Sequence, residues 1–192
     1  MNRDMNLQHY KMANRIYIVL LISVLLLSAC ANRGMGPQGG PKDTIPPKMV
    51  KEVPVSGSLN VQPKKLEITF DEYIQLADIQ NNVLISPPQQ TPPEIKAVGK
   101  TLSVVFQEDL QDSTTYTIDF GAAICDYNEK VPLEGYVFAF STGDHIDSLA
   151  ISGRVYNAEN LNPVSAVLVG IHSNLNDTVL STLPFARVTR SN

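Results

Sequence analysis

The chain has 192 residues, with 15 lysines and arginines against 19 aspartates and glutamates, and it contains two cysteines and no tryptophan. Its net charge of −4 and its scattered basic residues exclude the basic, aromatic-lined surface that binds nucleic acid. The sequence has no phosphate-binding glycine loop, Gly-x-Ser-x-Gly turn or His-Glu-x-x-His motif, so we expect no enzymatic activity, no cofactor and no metal ion.

Residues 1–29 have the pattern of an export signal. Three basic residues and one acidic residue lie in the first 15 positions and precede the apolar stretch IYIVLLISVLLL at 16–27. This stretch is shorter than the ~20 residues that span a bilayer. The small residues Ser28 and Ala29 then lead into Cys30. A positive end, a short apolar stretch and small residues before a cleavage site are typical of a signal peptide.

The four residues from Leu27 to Cys30 resemble the lipobox of bacterial lipoproteins. The resemblance implies that the chain is cut before Cys30 and that acyl chains such as palmitate attach there, so that Cys30 binds the membrane. Two or more acyl chains anchor a protein stably, whereas one binds marginally. The alternatives are an ordinary secretory signal with a chance cysteine and a short membrane-anchor helix.

The residues after Cys30 indicate the compartment and a tether. Ala31 replaces the aspartate that retains such lipoproteins in the inner membrane, so the resemblance implies the outer membrane. No acidic residue follows Cys30 closely, which favours the periplasmic face over the cell surface. Residues 30–47 are rich in glycine and proline and are predicted to be a flexible tether. Beyond residue 29 the chain has 12 basic and 18 acidic residues, a net charge of −6.

Residues 48–143 alternate apolar and polar side chains with the period of half-buried strands. In LEITF, for example, Leu66, Ile68 and Phe70 point to one side. About seven short strands without an amphipathic helix predict an all-β fold, an antiparallel β-sandwich. The proline-rich SPPQQTPPE at 86–94 is predicted to be a loop. The predicted strands lie at or near 48–55, 66–70, 83–86, 94–98, 101–106, 115–120 and 136–142.

This region resembles the bacterial Ig-like domains of surface-layer and envelope proteins. The opening VPVSGSLNVQPKKLEITFDEY carries the family's proline, glycine turn, Asn-Val, second proline and Phe-Asp-Glu triplet. The later TYTIDF and the closing FSTG match its last strands. Cys125 lies where many members have an apolar residue, so we expect it to be a buried core residue rather than a nucleophile.

After a polar linker at 144–148, residues 149–192 resemble part of a carboxypeptidase-regulatory-like or transthyretin-like module. The resemblance rests on Ile151, Gly153, Val155 and Pro163 and on the alternating VLVG that follows. Further strands are predicted at 178–183 and 185–190. These make about half a sandwich, a partial second β-sandwich module. Either the gene product is truncated or a partner completes the module.

Three kinds of candidate site remain in the part of the chain after residue 29. Tyr73 and Tyr127 are the tyrosines outside inward-pointing strand positions and are candidate glycan contacts, although partly buried loop tyrosines are the simpler interpretation. The acidic FDEY and CDYNEK stretches offer oxygen atoms to calcium, but they lack the spacing of a calcium loop. Asp-Ser and Asp-Thr triplets resemble bacterial O-glycan acceptors, with Thr44 and Ser148 the most accessible, and such pairs also favour turns.

Two functions therefore stay open. The first is a non-enzymatic, lipid-anchored envelope protein whose Ig-like domain is a spacer or a protein-interaction scaffold. The second is a glycan-binding or adhesion module of an outer-membrane nutrient-uptake or surface system. An enzyme is expected only if the natural chain is longer and a catalytic domain follows.

Overall fold

The computed structural model describes residues 14–23, 40–176 and 178–191. The chain divides into two compact units, residues 1–42 and residues 43–192. In the first unit, residues 14–23 are helical (α1), and the apolar side chains from Ile16 to Ile22 are all at least half exposed. Within the described residues, no helix is both long and apolar enough to cross a membrane. Cys30 lies outside the described residues, so its lipidation stays a prediction.

The second unit consists mainly of β-strands. It also contains two helices of a single turn, α2 (Ile79–Asn82) and α3 (Val179–Thr182). The strands are β1 (Met49–Val53), β2 (Lys65–Phe70), β3 (Ile74–Leu76), β4 (Leu84–Ser86), β5 (Glu94–Val98), β6 (Thr101–Val105), β7 (Thr115–Asp119), β8 (Ile124–Asp126), β9 (Val137–Ser141), β10 (Leu168–Ile171) and β11 (Arg187–Arg190).

All the strand pairs described are antiparallel. One sheet has the order β1-β2-β6-β5 and a second has the order β4-β7-β9, while β3 pairs with β8 and β10 pairs with β11. The all-β class and the antiparallel β-sandwich predicted from the sequence are confirmed. The seven strands predicted between 48 and 143 are all present, and SPPQQTPPE is a loop between β4 and β5.

The core forms between the two larger sheets because every second side chain points inward. Leu66, Ile68 and Phe70 of β2 are buried as their alternation predicts, and β6, β7 and β9 follow the same rule. Aromatic rings fill the centre. Tyr116 and Phe140 stack at a centroid distance of 5.4 Å and an interplanar angle of 13°. Burying an apolar side chain of this size stabilises the fold by roughly 1.5–3 kcal/mol.

Residues 57–61 connect the first sheet to the second. The N–H of Gly57 donates to the carbonyl of Ala139 at 2.7 Å, and the N–H of Asn60 donates to the carbonyl of Gly143 at 2.8 Å. The N–H of Ser141 donates to the carbonyl of Ser58 at 2.9 Å. Residue numbers rise together along these three bonds, so residues 57–60 run parallel to residues 139–143, whereas the N–H of Val61 donates back to the carbonyl of Ser141 at 3.2 Å. The beginning and the end of the sandwich are therefore bonded to each other.

Two strands, β3 and β8, were not predicted. Each has only three residues, which is too short to display an alternating pattern. They pair with each other through the register Ile74–Asp126, Gln75–Cys125 and Leu76–Ile124. This pair brings together two chain segments that are about 50 residues apart.

Residues 149–191 form fewer strands than expected. Residues 149–155 form no strand, and the strand predicted at 178–183 is wrong because Val179–Thr182 is a helical turn. The strand predicted at 185–190 is present as β11 (Arg187–Arg190). Phe185 packs directly on Gly170 of β10, where a Cβ atom would lie 2.3 Å from its ring. The assignment of this region to a second β-sandwich module stays a prediction.

Hydrogen bonds and an ion pair link this region to the sandwich, partly through the linker. The N–H of Val188 in β11 donates to the hydroxyl of Ser86 in β4 at 3.2 Å. The guanidinium of Arg187 pairs with the carboxylate of Asp147 at 2.7 Å. The N–H of Asp147 in turn donates to the hydroxyl of Thr115 in β7 at 2.9 Å. The C-terminal region therefore lies beside β4 and the outward side of β7.

Candidate functional site

Tyr73 and Tyr127 lie next to each other. The register of the β3–β8 pair sets Ile74 opposite Asp126, which puts the two tyrosines opposite each other one position further along. The N–H of Tyr127 donates to the carbonyl of Tyr73 at 2.9 Å. The side chains are 62% and 63% exposed. The structure thus joins two residues that the sequence identified separately, and we call them the tyrosine pair.

The ring of Tyr73 lies against the turn between β5 and β6. The Nζ of Lys100 lies 5.7 Å from the ring centroid and donates to the carbonyl of Asp71 at 2.6 Å. Gly99 has a φ of +63°, and a Cβ atom there would lie 3.9 Å from the ring. A cation over an exposed aromatic ring contributes about 0.5–1 kcal/mol. The lysine and the turn therefore hold one tyrosine of the pair while most of its surface stays accessible.

Gln75 is a polar side chain beside the tyrosine pair that sequence reasoning missed. Its Nε2 donates to the carbonyl of Asp126 at 3.0 Å and to that of Tyr127 at 3.3 Å. Neither Gln75 nor Lys100 belongs to a recognisable motif, so only the register of β3 with β8 and the β5–β6 turn could have revealed them. Exposed tyrosine rings offer stacking surfaces and the ammonium group of Lys100 offers a hydrogen-bond donor to a polar ligand, whereas the Nε2 of Gln75 is already bonded to backbone carbonyls.

The loop after Tyr127 is organised by the buried carboxylate of Asp126, which is 2% exposed. Its Oδ1 accepts hydrogen bonds from the N–H groups of Asn128 at 2.8 Å and Glu129 at 2.7 Å, and its Oδ2 accepts one from Val131 at 2.6 Å. Burial raises the pKa of the Asp126 carboxyl, but these backbone hydrogen bonds outweigh burial and hold the pKa below its ordinary value. The carboxylate stabilises the loop that positions Tyr127.

The acidic residues considered as calcium ligands do not assemble into a metal site. Glu72 is desolvated and lies near the negative charges of Asp126, Asp71 and others, so its pKa is raised. Within the described residues, no three side chains among His, Cys, Asp and Glu are placed to hold a metal ion together. The carboxylate of Asp126 is already used by backbone N–H groups.

Cys125 is buried in β8, at 5% exposure, as expected for a core residue. Burial, with a further contribution from the charge of Asp126, raises the pKa of its thiol. A thiol with a raised pKa is protonated at neutral pH and is a poor nucleophile. The geometry of Cys125 therefore matches a packing role.

The two candidate O-glycan acceptors are exposed. Thr44 follows Asp43, whose Oδ1 accepts the N–H of Ile45 at 2.9 Å, and Ser148 follows Asp147 in the linker. We predict that both carry glycans in the native organism, since both side chains are exposed. Mass spectrometry of the mature protein should then show a mass above that of polypeptide plus acyl chains, and Thr44→Ala with Ser148→Ala should remove the excess. A mass equal to polypeptide plus lipid would contradict the prediction.

The geometry described above agrees with the comparisons to known proteins. Residues 43–142 match the family described as bacterial Ig-like domain, so the chain belongs to the bacterial Ig-like domain family. No curated protein matches the chain.

Two solved structures are similar over part of the chain. An L,D-transpeptidase from Mycobacterium smegmatis is 14% identical over 52% of this chain, with a TM-score of 0.35. This chain spans 41% of the transpeptidase. PcoC, a methionine rich copper resistance protein from Escherichia coli, is 19% identical over 49% of this chain and 95% of its own, with a TM-score of 0.36.

Proposed function

We propose that the chain is a lipid-anchored protein of the outer membrane, non-enzymatic, whose Ig-like domain serves as a spacer and protein-interaction scaffold. The observation that carries the proposal is the order of segments: an export signal ending in Leu-Ser-Ala-Cys, a glycine- and proline-rich tether, and then a β-sandwich that begins near residue 48. The flexible tether lets the sandwich extend away from the membrane surface.

A packed β-sandwich agrees with a scaffold role. Residues 43–142 form a packed module with a buried thiol, and in the described residues the acidic side chains do not form a metal cluster. The apolar side chains of α1 are exposed around the whole helix. A helix that is apolar on every side is typical of segments that lie in a membrane or another apolar environment. In this proposal, the carboxypeptidase-regulatory-like module that follows the linker at 144–148 is an additional binding element.

Cys30→Ala should release the protein from the membrane fraction, because the thiol that receives the acyl chains is gone. Wild type and Cys30→Ala are compared by fractionation, and intact cells are treated with protease to locate the domain. Cys125→Ala is the matched control and should leave attachment unchanged. A Cys30→Ala protein that fractionates like wild type would show the lipoprotein assignment to be wrong.

Protection from external protease supports the periplasmic face. If protease removes the domain from whole cells, the domain lies on the cell surface instead. A surface location makes adhesion or glycan capture the leading function.

Glycan binding is the second candidate, and the observation that favours it is the tyrosine pair. Two exposed tyrosines at opposite backbone positions, with the ammonium group of Lys100 over the ring of Tyr73, provide aromatic surface and a charged hydrogen-bond donor. β-sandwich loops commonly carry binding residues on a rigid support. A soluble polysaccharide would contact the pair at the end of the β3–β8 ribbon.

Tyr73→Ala combined with Tyr127→Ala should reduce polysaccharide binding by about tenfold or more, since aromatic anchors dominate such contacts. Affinity electrophoresis in gels that contain individual polysaccharides measures the retardation. Tyr156→Ala removes an exposed tyrosine elsewhere and should leave retardation unchanged. Wild-type protein that migrates freely through every polysaccharide gel would exclude this function.

A further inference from the structure

A groove of about 980 Å³ lies between the sandwich and the C-terminal region. Thr115 and Thr117, on the outward side of β7, form one wall. Residues 149–156 and strands β10 and β11 form the rest. The groove is thus built entirely inside the second compact unit, around the region that forms fewer strands than the sequence predicts.

The backbone along this groove has unused hydrogen-bonding groups. In the part of the chain that the structure describes, the backbone of residues 148–154 makes no hydrogen bond to another residue. β10 pairs with β11 on one side, and no strand among the described residues pairs with its other side. Open strand edges with free N–H and C=O groups are templates for another strand.

Apolar side chains line the same groove. Leu149 is 99% exposed and Ile151 is 83% exposed, and both contribute to the lining. Val169 and Ile171 of β10 are also partly exposed there. Contiguous exposed apolar side chains typically mark a binding surface. An occupant with alternate apolar side chains would cover them.

The charge of the groove indicates the occupant's polar residues. Arg187 is paired with Asp147 at 2.7 Å. Arg154 and Arg190 also line the groove, and neither forms an ion pair with any residue that the structure describes. The groove therefore has an excess of positive charge, in a chain whose net charge is negative. Complementarity favours an acidic segment.

We propose that this groove binds an extended segment of another protein, in which apolar residues alternate with aspartate or glutamate, and that the segment adds as a strand beside β10. Backbone hydrogen bonds supply affinity in such strand addition, and alternate side chains supply specificity. The inference rests on the scaffold role proposed above and names the chemistry of its partner. Peptide binding and membrane attachment are separate measurements, so either proposal can fail alone.

The probe is a fluorescent acetylated peptide of four Val-Glu repeats, titrated against the full chain in a mild detergent, which keeps the chain in solution whether or not it carries acyl chains. We expect saturable binding that is lost when two alternate residues of the peptide are replaced by proline, which cannot donate to a ladder. Hydrogen exchange should show new protection in residues 149–154 and in β10. Binding without this protection, or equal binding of the proline peptide, would overturn the proposal.

Charge reversal provides the matched variants. Arg154→Glu with Arg190→Glu should weaken binding of the Val-Glu peptide by about tenfold or more and should favour a Val-Lys peptide instead. Lys51→Glu with Lys64→Glu changes the net charge equally at exposed positions outside the groove and should have little effect. Equal loss in both double variants would show non-specific attraction and would contradict the proposal.

A second copy of the chain is the competing occupant. Sedimentation velocity measures the oligomeric state of wild type and of Ile151→Asp. A monomer in both cases agrees with the proposal. A wild-type dimer that Ile151→Asp dissociates would overturn it, since the groove would then be an interface between copies.

Discussion

Replacing Phe140 with alanine is expected to lower the free energy of unfolding of the Ig-like domain by about 3–5 kcal/mol. Phe140 is fully buried in β9 and contacts the ring of Tyr116 at a centroid distance of 5.4 Å and that of Phe106 at 6.0 Å. Its removal leaves a cavity between the two sheets and deletes both aromatic contacts. Because small domains are stable by only about 5–15 kcal/mol, this loss is a large share of the total.

Urea denaturation followed by far-ultraviolet circular dichroism measures the effect. Val137→Thr is the matched control on the same strand, since Val137 is about half exposed and threonine keeps the branched β-carbon. Its free energy of unfolding should stay within about 0.5 kcal/mol of wild type. Equal stability of the two variants would mean that the sandwich core is not centred on Phe140.

Asp126→Ala is expected to lower the melting temperature of the domain by several degrees. The loop N–H groups of Asn128, Glu129 and Val131 would lose their carboxylate acceptor, and buried or part-buried donors without a partner are costly. Asp126→Asn should be milder because the amide oxygen still accepts the two bonds made by Oδ1. Asp109→Ala, at an exposed position, should leave the melting temperature unchanged.

The contribution of Asp126 should also depend on pH. Its pKa in the folded protein lies below the ordinary value, so the folded state favours the ionised carboxylate. The stabilisation is therefore complete above the pKa of the unfolded chain, about 4, and is lost as the pH falls through the folded pKa. The difference in melting temperature between wild type and Asp126→Ala should shrink below about pH 4. A difference that is the same at pH 3 and pH 7 would contradict this mechanism.

The long alternating segments of the sandwich could be predicted from the sequence because burial of one face imposes a period of two. β2, β6, β7 and β9 show this pattern plainly, and the prolines at 86–94 mark the loop. β3 and β8 have three residues each and show no period, so pairing between distant segments, not local pattern, forms them. At 178–183 the chain forms a helical turn instead of the predicted strand. The hydroxyl of Thr182 donates to the carbonyl of Thr178 at 2.9 Å within this turn.

The candidate site could also be predicted only in part, because local pattern identifies residues but not their pairing with distant segments. Tyr73 and Tyr127 could be identified as tyrosines outside the core pattern, but their proximity depends on β3 pairing with β8, which no local pattern reveals. Gln75 and Lys100 could not be singled out because glutamine and lysine are common on any surface. The buried position of Cys125 was predictable from the resemblance, whereas the hydrogen bonds to Asp126 depend on the shape of the loop.

The parallel alignment of residues 57–60 with residues 139–143 determines how the domain responds to tension. A pull between the tether and the linker draws the two segments in opposite directions along their common axis. The bonds from Gly57 to Ala139, from Asn60 to Gly143 and from Ser141 to Ser58 are then loaded in shear, at the same time. Hydrogen bonds loaded together resist rupture better than bonds that open one after another. The domain is therefore arranged to bear tension applied between its two ends without unravelling strand by strand.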